Sequence, residues 1–200
     1  MKFIFLDIET VPVELHDDVK EYFMNKKISK DSRQTHPMYA RIVVICAKEH
    51  QKETKIFNDT NEKSLLEDFW NFITEKFVED PRTIIVTHNG YKFDIPFLVL
   101  RSYIKGIKVP VQINTNRSIM MNSNHFDTML FFSFNGTFVN PSLEILCKMF
   151  GIDVHERLTG DDILKCYKGG NIQQIIEHCK NDVEILEKVF DKVCIHIFEK

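Results

Sequence analysis

The order of elements predicts an α/β fold, a mixed central β-sheet flanked by α-helices. Three observations carry the prediction. Three strand-like runs come first, a helix and a fourth strand follow, and the rest reads as helices. The runs Phe3-Ile4-Phe5-Leu6 and Ile84-Ile85-Val86 are apolar on both faces, as central strands are. Asn61–Val78 and the segment after Gly169-Gly170-Asn171 instead repeat their apolar residues at helical spacing.

Lys2–Ile8 is the first strand, rich in β-branched and aromatic residues. A polar insert follows at about 13–38, with one helix expected over Leu15–Lys27 and a basic, loop-like remainder. Arg41–Ala47 and Thr54–Phe57 are the next strands, joined as a hairpin through His50-Gln51-Lys52. In Asn61–Val78 the apolar side is Leu65, Leu66, Phe69, Trp70, Phe72, Ile73 and Phe77. Arg82–Thr87 is the fourth strand. Asp94-Ile95-Pro96 starts a helix ending near Gly106, with proline in the tolerated first turn. Gln112–Asn124 carries four Asn and reads as a loop. Asn140-Pro141-Ser142 opens a helix ending at Gly151. Two hundred residues without repeats or linkers predict one domain over 1–200.

Composition narrows the function. An apolar fraction of 44% with 17 Phe supports a substantial core. The net charge of −3 leaves no broad basic surface, so a long duplex would be gripped poorly, whereas a single strand or a free end remains open. Five scattered cysteines (Cys46, Cys147, Cys166, Cys179, Cys194) form no Cys-x-x-Cys pair, which argues against a zinc ribbon and a disulfide framework. With no signal peptide and no membrane span in the sequence, a cytoplasmic protein is expected.

Four acids carry the chemistry. With a side-chain period of two, Phe3, Phe5, Asp7 and Glu9 share one face of the first strand, and Ile4, Leu6 and Ile8 take the other. Carboxylates so placed stand roughly 7 Å apart along the backbone, a spacing that suits two metal ions. The alternative is a strand that ends near Asp7 and leaves both acids in solvent. Asp94 follows the turn at Asn89-Gly90 and starts a helix, where it could hold a metal-bound water or act as an N-cap. On the last helix Ile175, Cys179, Leu186, Phe190 and Val193 form an apolar stripe, and Asp182 falls inside it. That carboxylate needs either a metal or a buried salt bridge. His178 lies one turn earlier on the same side, where a neutral imidazole could take a proton from an attacking water or simply be tolerated at the helix edge.

These segments together resemble the DEDD superfamily of 3′–5′ exonucleases, which have an RNase H-like fold. Asp7-Ile8-Glu9-Thr10 looks like the first motif, Asn89-x-x-x-Phe93-Asp94 the second, and His178-Cys179-Lys180-Asn181-Asp182 the third. The chain is most similar to stand-alone relatives of the proofreading domain of family-B DNA polymerases. Thr10-Val11-Pro12, His36-Pro37, Arg41-Ile42-Val43, Phe126-Asp127, Ser142-Leu143 and Phe150-Gly151-Ile152 support this. The likeness runs from Phe3 to about Leu186. One departure stands out. The proofreading branch has Tyr four residues before the last Asp, where this chain has His178. The branch that uses histidine places it where this chain has Glu177.

The resemblance implies two Mg²⁺ or Mn²⁺ ions, with Asp7 bridging, Glu9 and Asp182 completing one site and Asp94 serving the other, and His178 orienting or deprotonating the water. It implies single-stranded DNA or RNA 3′ ends as substrate, DNA before RNA, and nucleoside 5′-monophosphates as product. Thr10, Val11, Asn89 and Phe93 become candidates for holding the terminal nucleotide. Asp127 resembles a recurrent acid of the family and is equally placed for a helix N-cap. A second class of function is a nucleic-acid-binding protein that keeps the fold with weakened catalysis, which His178 in place of tyrosine favours.

Overall fold

Strand β1 is longer than its apolar run suggests, covering Phe3–Pro12. It carries Asp7 and Glu9 inside a paired strand, so they do not lie in solvent past its end. The computed structural model describes residues 1–15, 17–24, 35–115, 123–154 and 157–198. The order along the sheet is β3 (Thr54–Phe57), β2 (Ala40–Glu49), β1, β4 (Ile84–Thr87), β5 (His125–Asp127). β1 pairs antiparallel with β2 and parallel with β4, so the sheet is mixed. The β1–β2 register slips between Glu9 and Thr10, which pair with Val44 and Ile42 and leave Val43 as the extra residue of a bulge. Bulges bend a strand and re-aim its side chains, and this one lies beside Glu9.

Alternation on β1 builds two cores. Phe3, Phe5 and Val11 face one layer, with Ile175, Cys179, Val183 and Leu186 of helix α7 (Ile172–Val189). Ile4, Leu6 and Ile8 face the other, with Leu66, Phe69 and Ile73 of α2 (Glu62–Glu79) and Ile95 and Leu98 of α3 (Asp94–Ile104). The first layer also holds α5 (Leu143–Phe150) and α6 (Gly160–Lys168). Helix α1 is Asp17–Met24, and the rest of the helix expected to Lys27 and its basic loop as far as residue 34 lie outside the described residues. So does the stretch 116–122 of the Asn-rich segment.

Two elements, β5 and α6, were not expected, and α4 is the helix that the N-cap alternative for Asp127 required. β5 is a three-residue strand made by parallel pairing with β4, with no pattern of its own. α4 (Thr128–Phe132) follows it at once, and α6 starts at a capping box between Thr159 and Asp162. The last helix also departs from its expected course, since Phe190–Cys194 widens into a π-helical turn.

The α2–α3 layer is pinned by a buried ion pair. Arg101 donates from Nε to Glu62 Oε1 at 2.8 Å and from Nη2 to Oε2 at 2.5 Å, and Nη1 reaches Pro37 O at 3.0 Å. Glu62 Oε1 also accepts from Ile42 N at 2.9 Å, and Lys105 Nζ lies 3.4 Å from Oε2. Each guanidinium nitrogen has a partner, which is the arrangement that makes an ion pair tolerable in an interior.

Candidate active site

The fold brings acids from both layers to the middle of β1, around Asp7 and Glu9. Oxygens of Asp7 and Glu9 and the sulfur of Cys179 all lie within 4.8 Å of one another. Burial pushes the Asp7 carboxyl up to about 7, with the Asp182 charge adding to the rise. Glu9 is held well above the usual carboxylate range by burial, then by Asp7 and Asp182. Asp94, only 3% exposed, is also driven well above its usual value by burial and then by Asp7. The four acids expected to act together therefore feel one another, and three resist ionisation. A cluster in that state is short of positive charge.

His178 faces the same acids, its Nε2 3.4 Å from Glu9 Oε1 and 3.9 Å from Asp182 Oδ2. Burial lowers its pKa, against the opposing pull of Asp182, so the ring is neutral near pH 7. Cys179 is the least suited of these groups to be a ligand. Its thiol donates to the Asp7 carbonyl at 3.5 Å, and burial raises its pKa well above the ordinary thiol value. The donors that remain are hard oxygens, the set that suits Mg²⁺ or Mn²⁺.

Asp94 is the first residue of α3 and not its N-cap. Phe93 holds the cap position and makes no side-chain cap bond. The preceding loop is shaped by contacts that local sequence does not reveal. Asn89 adopts φ 72°, a left-handed conformation that Asn tolerates. A Cβ on Gly90 would stand 2.2 Å from Thr87 Oγ1, so only glycine fits. Asp127 holds this loop from β5, accepting from Asn89 N at 3.0 Å and Tyr91 N at 3.1 Å. It also caps α4 through Met129 N at 2.9 Å. The cap reading of Asp127 is thus met, and the same carboxylate positions the segment leading to Asp94.

Of the residues expected at the terminal nucleotide, Asn89 and Phe93 are half-buried at the loop, with the Phe93 ring 5.1 Å from that of Phe97. Val11 is in the core at 1% exposure and Thr10 is buried at 8%. Alternation puts these two on opposite faces of β1.

Sequence reasoning missed Arg157. Its guanidinium Nη2 donates to Asp182 Oδ2, so in this state Asp182 takes the salt bridge that was the alternative to metal. The charge of Arg157 opposes the upward shifts of Asp7 and Glu9 without cancelling them. Arg157 lies outside any helix or strand and 25 positions before Asp182, so no periodicity links the two.

A family model described as "Predicted 3'-5' exonuclease related to the exonuclease domain of PolB" matches residues 33–186. That span contains Asp94, His178 and Asp182, while Asp7 and Glu9 precede it and are joined to them by the geometry above. Among solved structures the chain is similar to the family B DNA polymerase from the hyperthermophilic archaeon Pyrobaculum calidifontis, with a TM-score of 0.65 and 16% identity. The match covers 96% of this chain and 24% of the polymerase chain, and at that identity it shows the fold. No curated protein matches. Among the described residues no helix is long and apolar enough to cross a membrane.

Proposed function

This chain belongs to the family of predicted 3′–5′ exonucleases related to the exonuclease domain of PolB, and from that membership we propose that it removes nucleotides one at a time from the 3′ end of single-stranded nucleic acid, DNA before RNA, with divalent metal. The observation that carries the reading is the set of four acids gathered around the middle of β1, three of them driven toward their protonated form.

The residues present fit the metal. The donors are carboxylate oxygens, and Asp182 Oδ1 is buried with no hydrogen-bond partner among the described residues. Asp7, Glu9, Asp94 and Asp182 would hold two ions, Mg²⁺ or Mn²⁺. When bound, such ions supply Lewis-acid charge for the attacking water and for the departing 3′ oxygen.

The chain's own groups do the rest. His178, kept neutral by burial, offers Nε2 as the proton acceptor beside Glu9 and Asp182. Phe93 and Asn89 flank the approach to Asp94, and an aromatic face beside the terminal base is a sequence-tolerant contact. Asp127 keeps that loop in register. The net charge of −3 favours a single strand over a duplex, because duplex binding draws on a wide basic surface.

Cleavage of a 5′-labelled single strand with Mn²⁺ tests the reading. A ladder shortening from the 3′ end with release of nucleoside 5′-monophosphates is expected, and a circular strand should resist. Circular and linear strands cut at equal rates would replace exonuclease with endonuclease. Strand binding without release of nucleotide would place the chain among binding proteins.

His178 has its own test. His178→Ala is expected to slow cleavage by about 10²–10⁴-fold. The wild-type rate should rise with pH along an acid limb below the ordinary histidine value, because the neutral ring is active and burial lowers its pKa. An unchanged rate in His178→Ala would return His178 to a tolerated helix-edge residue.

A further inference from the structure

The two arginine–carboxylate pairs of this chain differ in a way that assigns them different jobs. In Arg101–Glu62 the fork is bidentate and the side chains are 6% and 2% exposed. Each guanidinium nitrogen and both carboxylate oxygens there have partners. That is a permanent tie. In Arg157–Asp182 a single nitrogen meets a single oxygen. Arg157 Nε and Asp182 Oδ1 are both buried without a hydrogen-bond partner among the described residues. The Arg157 side chain is 33% exposed against 5% for Asp182, so it is the partner that reaches the surface. Its backbone belongs to no helix or strand and lies just before Thr159, the N-cap of α6. A buried pair that leaves an orphan on each side gains little over its desolvation cost, which suits a contact made to be broken.

We propose that Arg157 is a tethered cation that occupies Asp182 while the acid cluster lacks divalent metal and, displaced when metal binds, becomes the ligand of the phosphate being cleaved. The inference rests on the metal-dependent reading above and adds a residue and a sequence of contacts to it. A divalent ion at the unpartnered Asp182 Oδ1 would put a second cation on the carboxylate that holds Arg157 through Oδ2, and the repulsion between the two charges weakens the Arg157–Asp182 bond. Once displaced, the guanidinium stays attached at the rim of the cluster, beside the position of a phosphate held there. Its planar fork matches two phosphate oxygens, as a lysine's point charge does not. The same side chain would screen the acids before loading and grip the anionic substrate after it.

Calorimetric titration tests both halves without relying on turnover. Mn²⁺ is titrated into wild type, Arg157→Gln and Arg157→Lys, and thymidine 5′-monophosphate is then titrated into each Mn²⁺-loaded protein. Arg157→Gln is expected to take up Mn²⁺ about tenfold more tightly, because its competitor is gone, and to bind the monophosphate about tenfold to a hundredfold more weakly. Arg157→Lys should bind Mn²⁺ near the wild-type level and the monophosphate in between. Equal or weaker Mn²⁺ uptake by Arg157→Gln overturns the displacement, and unchanged monophosphate affinity overturns the phosphate role. Should Arg157→Gln fail to fold, Arg157→Lys decides, and wild-type grip on the monophosphate by that variant overturns the proposal. A wild type that takes up no Mn²⁺ sinks the metal-dependent reading and the inference with it. Wild-type uptake matched by Arg157→Gln sinks the inference alone.

Discussion

Asp7→Asn is expected to lower 3′-end cleavage by about 10³-fold or more, because on the proposed reading Asp7 would bridge two ions and so contribute several kcal/mol of charge stabilisation. The same substitution should raise the melting temperature of the metal-free protein. Burial and Asp182 bring the Asp7 carboxyl up to about 7 in the folded chain, against an ordinary value of 3.8. The folded state therefore prefers the protonated form. As pH rises above about 4 the unfolded chain ionises freely while the folded one resists, so stability falls until pH passes about 7 and then levels. The loss from this one group is on the order of 4 kcal/mol. Glu9 and Asp94 are shifted in the same direction. Metal-free wild type should melt at falling temperature between pH 4 and 7, Asp7→Asn should fall less steeply, and Mn²⁺ should restore wild type more than the variant. Surface acids such as Glu79 and Asp162 are shifted down by their lysine and threonine partners and act in the opposite sense at low pH, so the difference between the two proteins is the quantity to follow. A lower melting temperature for metal-free Asp7→Asn would mean that the carboxylate makes a net stabilising contact.

Arg101→Ala should cost about 3–5 kcal/mol, the penalty for leaving one partner of a buried pair uncompensated. For a domain of this size the melting temperature should fall on the order of 10 °C. Glu62 would keep its bond from Ile42 N and lose its fork, and Pro37 O would lose its donor. Chemical denaturation of both proteins checks the cost. A loss under about 1 kcal/mol would class the pair with exposed bridges.

What the sequence revealed and what it hid divide along physical lines. Period-two alternation on β1 sorted Phe3 and Phe5 from Ile4 and Leu6, and the two cores follow that division. An acid inside an apolar helical stripe pointed to Asp182, which is buried, with His178 beside it one turn earlier. Contacts between distant segments were hidden. Glu62 reads as an ordinary first-turn acid until Arg101 reaches it from 39 positions away. Arg157 carries no local signal at all. β5 owes its existence to pairing with β4, so a three-residue run after an Asn-rich segment was unreadable as a strand. α6 had a legible start in Thr159 and Asp162, but only Ile163 and Cys166 are buried on it, too few for a periodic stripe. Whether Thr10 and Val11 could reach a nucleotide depended on burial, which strand composition alone does not disclose.

The most direct test of the acid cluster as a divalent-metal site is a crystal soaked in Mn²⁺ and measured for anomalous scattering. Two peaks among Asp7, Glu9, Asp94 and Asp182, with Arg157 withdrawn from Asp182, are the result expected. A map without a peak there, with the Arg157–Asp182 bond intact at millimolar Mn²⁺, would contradict it.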